Sequence, residues 1–357
     1  MYIYSLSKDD ESKESSSYYV KKRILVLVHI DLIPPKDIDK SIDISFEPWI
    51  TEYHVIETLK ELKYDVDVLG VYDELSVIRE KVNDFKPHVI FNLLEEFDGN
   101  VLMDQHIVSF LELLKQNYTG CSPRGLMLSR DKSLTKKILT YHRIATPKFQ
   151  AFRKLTESKI KKIKLSKKLK FPLIVKCLNE DASLGISSGS VVKSHEKMIE
   201  RITYLFEKFK ADVIVEEFIP GKEVYVGVVG NNRLEVLPMI ELHFDNVEKP
   251  ELEIYSERAK WSKKHRHKKG VRIAVSKQDE ELEKKLIKLS KRVFQVLELD
   301  GIARIDYRID DHGNPYVIEA NPNPNLAKDD ELAVSWIKTG KPYKELIKKL
   351  ITLSLSR

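Results

Sequence analysis

The stretch G-I-A-R-I-D-Y-R-I-D-D-H-G-N-P-Y-V-I-E-A-N-P-N (301–323) sets an arginine, two acids and an asparagine at spacings that let them converge. Two alternating segments flank D-D-H-G-N-P, a run of turn formers, so the stretch reads as a β-hairpin. Strand side chains alternate between faces, which puts Arg304 and Asp306 on one face and Ile305, Tyr307 and Ile309 on the other. On the return strand Glu319 and Asn321 share a face, opposite Ile318 and Ala320. One-to-one pairing about a turn centred between His312 and Gly313 sets Asp306 across from Glu319, and Arg304 across from Asn321. Opposed Cβ atoms lie about 4.5–5.5 Å apart, and two carboxylates that close repel unless a proton or cation stands between them. Oxygen donors from Asp306, Glu319 and Asn321 suit Mg²⁺, with positions left for water and phosphate. The same pattern also describes a surface hairpin whose acids meet solvent or Arg304, and a bulge would shift its register.

Two other segments carry charge where an anion could sit. In P-L-I-V-K-C-L-N-E-D-A-S-L-G-I-S-S-G-S (172–190) an apolar strand ends at Lys176, and a loop of small residues follows. A lysine at the end of a buried strand is costly to desolvate without an anion, and small residues let loop N–H groups approach phosphate oxygens. No G-K-[ST] is present, so this is not a Walker A loop; a plain hairpin with a surface lysine fits as well. In D-V-I-V-E-E-F-I-P-G-K-E-V-Y-V-G-V-V-G (212–230) two apolar strands meet at Pro220 and Gly221. The strand end there offers backbone groups to an adenine edge, and Glu223 could accept hydrogen bonds from ribose hydroxyls. An ordinary hairpin is the other reading.

The elements that must position these residues alternate along the first third of the chain. An apolar run at 23–30 reads as a buried strand. A helix pattern through Val55, Leu59 and Leu62 follows, then a strand at 65–71, a helix around 74–84, a strand at 88–94 and a helix at 103–115. That order predicts a parallel α/β layer. Its first turn, H-I-D-L-I-P-P-K, contains no glycine, which excludes the dinucleotide fingerprint and a nicotinamide or flavin enzyme. A helix starts near Asp131, and the basic stretch 153–170 reads as the charged coat of an exposed helix. Then come a strand at 171–177, a helix at 195–209, strands and hairpins from 211, a helix at 278–298, the hairpin, and a last helix at about 342–353.

The 357 residues suffice for two or three domains, and 42% hydrophobic with 32% charged residues suits a large core under a solvated surface. No apolar run approaches the roughly 18–20 residues that cross a bilayer, and the first residues lack the apolar segment of a secretory signal. Two cysteines, Cys121 and Cys177, make neither a disulfide framework nor a metal cluster and fit a reducing cytoplasm. The net charge of +6 comes from lysines interspersed with acids, so a solvated surface is expected rather than a nucleic-acid or membrane partner.

Together and in this order, the three segments resemble the ATP-grasp superfamily, most closely its D-alanine–D-alanine ligase-like branch. F-N-L-L-E-E-F-D-G-N (91–100), Y-T-G-C-S-P (118–123), S-R-D-K-S-L-T-K-K-I-L (129–139) and E-R-A-K-W (257–261) resemble it too, so the likeness runs over roughly 23–350. It implies an ATP-grasp fold, α/β and α+β, with an N-terminal parallel α/β domain at 22–125. A central subdomain carrying the phosphate loop would span 126–215 and a C-terminal one 216–357, after a disordered tail at 1–21. It implies ATP and Mg²⁺ (or Mn²⁺) as cofactors, small-molecule carboxylate and amine substrates, a cytoplasmic enzyme and a homodimer. By position, Lys132 and Lys176 are implied to contact the α- and β-phosphates. Glu216, Glu217, Phe218 and Ile219 would face adenine, with Glu223 on the ribose. Ser183, Leu184 and Gly185 fall in the mobile phosphate-covering loop, and Lys260 would reach the terminal phosphates from a lid at 260–270. Asp306, Glu319 and Asn321 are implied as metal ligands, and Arg304 as the group that steadies the acyl-phosphate. The same scaffold also carries small-molecule kinases and silent nucleotide-binding proteins; retention of Arg304 and all three metal ligands points away from the silent form.

The chain departs from that branch where amino acids bind. The glycine- and serine-rich motif with its glutamate is replaced by H-I-D-L-I-P-P-K, and Asp181 and Ala182 stand where glycine and serine are usual. Asp330 falls near the serine that holds the second D-alanine's carboxylate, and an acid there would repel it. The nucleotide half of the pattern is kept; the half for D-alanine–D-alanine synthesis is not.

Overall fold

The β-branched run after Lys22 forms β1 (Arg23–His29), buried through Ile24, Leu25, Val26, Leu27 and Val28. Helix α1 (Ile50–Glu61) turns Val55, Ile56 and Leu59 inward and leads to β2 (Asp65–Val71). Helix α2 (Ser76–Phe85), β3 (Val89–Asn92) and α3 (Asp104–Leu113) follow. The three strands form a parallel sheet in the order β2-β1-β3, the alternating layer the sequence predicts. The structure, a computed structural model, describes residues 21–39, 43–180 and 184–357; residues 1–20 of the expected tail, and Asp181, Ala182 and Ser183 of the phosphate loop, lie outside them.

Two helices then lead into the second sheet. Helix α4 (Pro123–Arg130) begins on the Ser122 side chain with proline in its first turn, a start signal that the sequence reading passed over. Helix α5 (Lys132–Tyr141) is capped by Asp131, whose Oδ1 accepts from the N–H groups of Ser133 and Leu134. The second sheet holds β4 (Phe149–Phe152), β5 (Leu173–Cys177), β6 (Val191–Val192) and β7 (Val213–Glu217), antiparallel in the order β4-β7-β5-β6. Between β4 and β5 the basic stretch does not form the exposed helix expected of it. Only α6 (Glu157–Ile160) is helical, and Ile160, Ile163 and Leu169 are drawn into the core beneath. Burying those three apolar residues outweighs the helix propensity of the lysines around them. Helix α7 (His195–Phe209) sets Met198, Ile202 and Leu205 against the same core.

The third sheet comprises β8 (Lys222–Val229), β9 (Glu235–Val236), β10 (Ile240–Phe244), β11 (Val271–Val275), β12 (Ile302–Ile309) and β13 (Pro315–Asn321). Its order is β11-β10-β8-β12-β13, with β9 against β8. Two short helices, α8 (Glu257–Trp261) and α9 (Lys263–Lys269), cross over between β10 and β11, each started by a serine side chain. Helix α10 (Glu280–Val296) packs on one face of the sheet. Helices α11 (Glu331–Ile337) and α12 (Tyr343–Ser354) close the chain, and α12 lies against α1 and β3 of the first layer. Among the described residues no helix is long and apolar enough to cross a membrane.

Candidate active site

The β12–β13 hairpin pairs Asp306 with Glu319 and Arg304 with Asn321, the register expected from counting about the turn. Nearer the turn the pairing shifts: Tyr307 meets Val317, and Ile309 meets Pro315. The turn is centred on His312, half a residue before the midpoint assumed, and a one-residue bulge at Ile318 restores the expected register before the carboxylates are reached. The bulge also corrects the face of Ile318. Expected opposite Glu319, it lies beside it on the wall of the same cavity, while Val317 and Ala320 enter the core.

Arg304 is buried and committed on several sides. Its Nε and NH2 donate to the two oxygens of Asp306 at 2.8 and 2.9 Å, and NH1 donates to Glu331 Oε2 at 3.0 Å. Its guanidinium lies 5.1 Å from the centre of the Tyr225 ring. Burial opposes the charge, but Asp306, Glu331 and Asp330 outweigh it and hold the group protonated well above the ordinary arginine range. Burial pushes the Asp306 carboxyl up to about 7 despite Arg304, with the Glu319 charge adding to the rise. Burial also raises Asp330, helped by its neighbour Glu331; Glu331, though buried, is kept low by Asp330, Arg304 and Lys260.

Lys132 opens α5, sends its Nζ to the Glu180 carbonyl at 2.5 Å and lies 3.8 Å from Glu319 Oε2. Lys176, on β5, donates to Glu216 Oε2 at 3.2 Å. The other oxygen of Glu216 faces Lys136 at 3.3 Å, a lysine the sequence reading did not single out. Lys136 stands four residues after Lys132, on the same face of α5, and that spacing was the available signal. It also donates to Thr146 Oγ1 and to the Ile318 carbonyl, each at 3.0 Å, and so ties the helix to the bulge. Burial pulls Lys136 down to about 8, with Glu216 resisting and Lys176 assisting.

The segment 216–219, the hinge between the second and third sheets, stands over a narrow cavity of about 90 Å³ walled by Ile174, Lys176, Ile186, Phe218, Ile219 and Ile318. The N–H groups of Glu217 and Phe218 donate to the carbonyls of Lys148 and Pro172, and Arg308 Nε donates to the Ile219 carbonyl. Those three backbone groups are engaged within the protein itself. Glu216 thus clamps two lysines from its side chain, while Glu217 turns outward to Lys148. Glu223 accepts from Arg308 NH1 at 3.2 Å and from the Tyr225 hydroxyl at 2.7 Å.

In the loop after β5, Leu184 is half-buried and Gly185 is buried with φ +68°, its Cα turned toward Phe209 and Leu205. A Cβ there would sit 2.8 Å from the Phe209 ring, so glycine is required both by space and by the left-handed backbone. The loop is fastened to α8: the Gly185 N–H donates to Glu257 Oε2 at 3.2 Å, and the Glu257 N–H donates to the Ile186 carbonyl at 3.2 Å. Helix α8 brings Lys260 to a cavity of about 360 Å³ shared with Arg304, Glu319, Asn321, Asp330 and Glu331. Lys176, Glu216, Glu217, Phe218, Ile219, Glu223, Asp306 and Glu319 line the narrow cavity, and Lys260, Arg304, Glu319 and Asn321 line the larger one, while Lys132, Leu184 and Gly185 line neither.

A divalent cation fits the oxygen set on the hairpin. Asp306 and Glu319 oppose each other, and Asn321 follows on the same strand, so three oxygen-bearing side chains are grouped at the end of the hairpin. Among the described residues no three His, Cys, Asp or Glu side chains converge as a full cage. Two carboxylates and an amide leave other positions open, which suits Mg²⁺ beside phosphate.

Comparison with known proteins identifies the family. Residues 138–352 match the family model described as D-ala D-ala ligase C-terminus. The D-alanine–D-alanine ligase of Aquifex aeolicus is 30% identical over 298 residues, covering 84% of this chain and 92% of the relative. The uncharacterized protein y4sG of Sinorhizobium fredii is 29% identical over 270 residues, covering 75% of each. The crystal structure of the Bacillus anthracis D-alanine–D-alanine ligase complexed with ATP superposes with a TM-score of 0.71 at 23% identity, covering 94% of this chain and 98% of that one. The chain belongs to the D-alanine–D-alanine ligase-like branch of the ATP-grasp superfamily, the ATP-dependent carboxylate–amine ligases.

Proposed function

We propose that this ligase activates the carboxylate of an amino acid or peptide as an acyl-phosphate, with ATP and Mg²⁺, and joins it to an amine. The observation that carries the reading is the meeting of the Asp306–Glu319 pair, Lys132 and Arg304 at one end of the groove whose other end is the hinge. A substrate carboxylate oxygen attacks the γ-phosphorus and ADP departs; the neutral amine then attacks the acyl carbon, and phosphate leaves with the C–O bond electrons and takes up the proton the nitrogen sheds. Asp306, Glu319 and Asn321 would hold Mg²⁺, which when bound neutralises phosphate oxygens. Lys132 and Lys176 would bind the inner phosphates, with Glu216 orienting Lys176 toward them. Lys260 would reach the transferring phosphate, and Arg304 would stabilise charge that develops on the acyl oxygen. Leu184 and Gly185, with the neighbouring Ser183, would cover the phosphates, and the α8–α9 segment would exclude water that hydrolyses the intermediate.

The amino-acid half departs from D-alanine ligation on the ground already given for Asp330. Its Oδ1 is 3.8 Å from Arg304 NH1, so an acid stands at the wall of the substrate cavity. Substrates other than two D-alanines are expected. Hydroxylamine supplied with ATP, Mg²⁺ and a carboxylate substrate should trap a hydroxamate and release ADP. Glu319→Ala should lower that turnover by about 10²-fold or more while leaving the unfolding temperature nearly unchanged. Phosphorylated product without hydroxamate would instead place the chain among the kinases of this scaffold.

A further inference from the structure

Beside the substrate cavity lies a second one of about 370 Å³, and the two share Glu95, Trp261, Asn323 and Asn325. Its charged lining is one-sided. Glu52 reaches it from α1, and Glu95 and Glu96 from the segment after β3; no lysine or arginine lines it among the described residues. The one basic group is His29, whose Nε2 stands 3.3 Å from Glu96 Oε1. This cavity occurs in a chain whose net charge is +6, so the acidity is local.

Glu52 is the telling member. It is 4% exposed, its Oε2 has no hydrogen-bond partner, and it faces the cavity. A buried carboxylate oxygen without a partner is expensive. Burial above all, with the Glu95 charge adding, pushes its carboxyl up to about 7. The wall that carries it is held in place: Thr51 Oγ1 donates to Asn325 Oδ1 at 2.7 Å, which ties α1 to the segment after the metal hairpin. A neutral polar group would leave the Glu52 carboxylate without a compensating charge.

We propose that this second cavity holds a positively charged ammonium or guanidinium group, carried by the substrate on the part remote from the bond being formed and paired with Glu52 and Glu95. The inference rests on the ligase reading of the neighbouring cleft and names the substrate class as a cationic amino acid. Trp261, half-exposed and common to both cavities, lies where the aliphatic stem of such a substrate would pass.

Calorimetry of the full chain with Mg²⁺ and a non-hydrolysable ATP analogue tests it. Both enantiomers of ornithine, lysine and arginine would be titrated beside the uncharged norvaline and norleucine. At least one cationic probe should bind about tenfold tighter than its uncharged counterpart, the size of one charge-assisted hydrogen bond. Glu52→Gln, which keeps the shape, should erase that preference and leave the affinity for the ATP analogue unaltered. Glu95→Gln on the cavity rim should weaken the preference in the same direction without disturbing the interior. Equal binding of charged and uncharged probes, no binding of any cationic probe, or a preference that survives Glu52→Gln would overturn the proposal. Hydroxamate trapping with the same acids reports separately: a cation preference without hydroxamate would sink the ligation reading alone, and hydroxamate from uncharged acids with no preference would sink this one alone.

Discussion

Glu216 is a small side chain with a large duty, since it holds Lys176 and Lys136 apart while cancelling part of the charge of each. Three ionised groups so deeply buried are stable only as a set, and removing one strands the others. Lys176 was legible because an apolar strand ending in lysine is a physical anomaly. Lys136 was not, because a lysine on a helix rich in lysines looks solvated until the fold buries it. Glu52 was hidden for the same reason: nothing in W-I-T-E-Y-H-V marks its glutamate as interior. Its titration has a definite sign. The unfolded carboxyl gives up its proton near 4.5 whereas the folded one keeps it to about 7. Between those values the native state binds the extra proton, so this group subtracts stability as pH rises through the window and the full loss is present above it. Chemical denaturation of wild type and Glu52→Gln at pH 5 and pH 8 should show the variant gaining on the order of 2 kcal/mol relative to wild type between the two values. Parallel curves would mean that Glu52 is solvated in the folded protein.

At the scale of elements, the hairpin was readable because strand alternation has a period of two and its turn is written in D-D-H-G-N-P. Counting could not reveal that the Ile318 bulge and the shifted turn compensate each other, since a bulge has no composition of its own. The basic segment after β4 misled for a related reason: three apolar residues among many lysines decide its path by being buried. The loop after β5 and helix α8 come from distant parts of the chain, and their clasp was invisible for that reason. Glu257 makes the clasp with both its backbone N–H and its carboxylate. Glu257→Ala removes the side-chain half, so amide exchange should rise in residues 184–190 and in α8 together. The KM for ATP should increase several-fold with a change in unfolding temperature of only a degree or two, as expected when a partly exposed hydrogen bond is lost. Faster exchange confined to one of the two segments would show that they are not mechanically joined.

At the scale of the whole molecule, the hydrophobic cores do not follow the three sheets one to one. The second sheet has a core of its own, built from residues between Ile160 and Val215. The first sheet does not: Ile24, Val26 and Val28 of β1 share a core with Ile302 of β12, Trp336 of α11 and Leu346, Ile347 and Leu350 of α12. The end of the chain therefore completes the layer that its beginning starts. No local pattern shows this, because α12 reads only as an amphipathic helix and its partner face lies some three hundred residues away. The consequence is an unequal division of stability. Leu350→Ala, at a site 2% exposed, should cost about 2–5 kcal/mol through lost burial and a cavity. That loss should fall on the first and third sheets together, while the second sheet, with no side chain in this core, keeps its own stability. Native-state hydrogen exchange decides it. The slowest amides of β1, β3 and β12 should all accelerate by a similar factor in Leu350→Ala, and those of β5 and β7 should hold their wild-type rates. Acceleration restricted to α12 would mean that the helix frays alone and that the shared core contributes little to holding the two ends of the chain together.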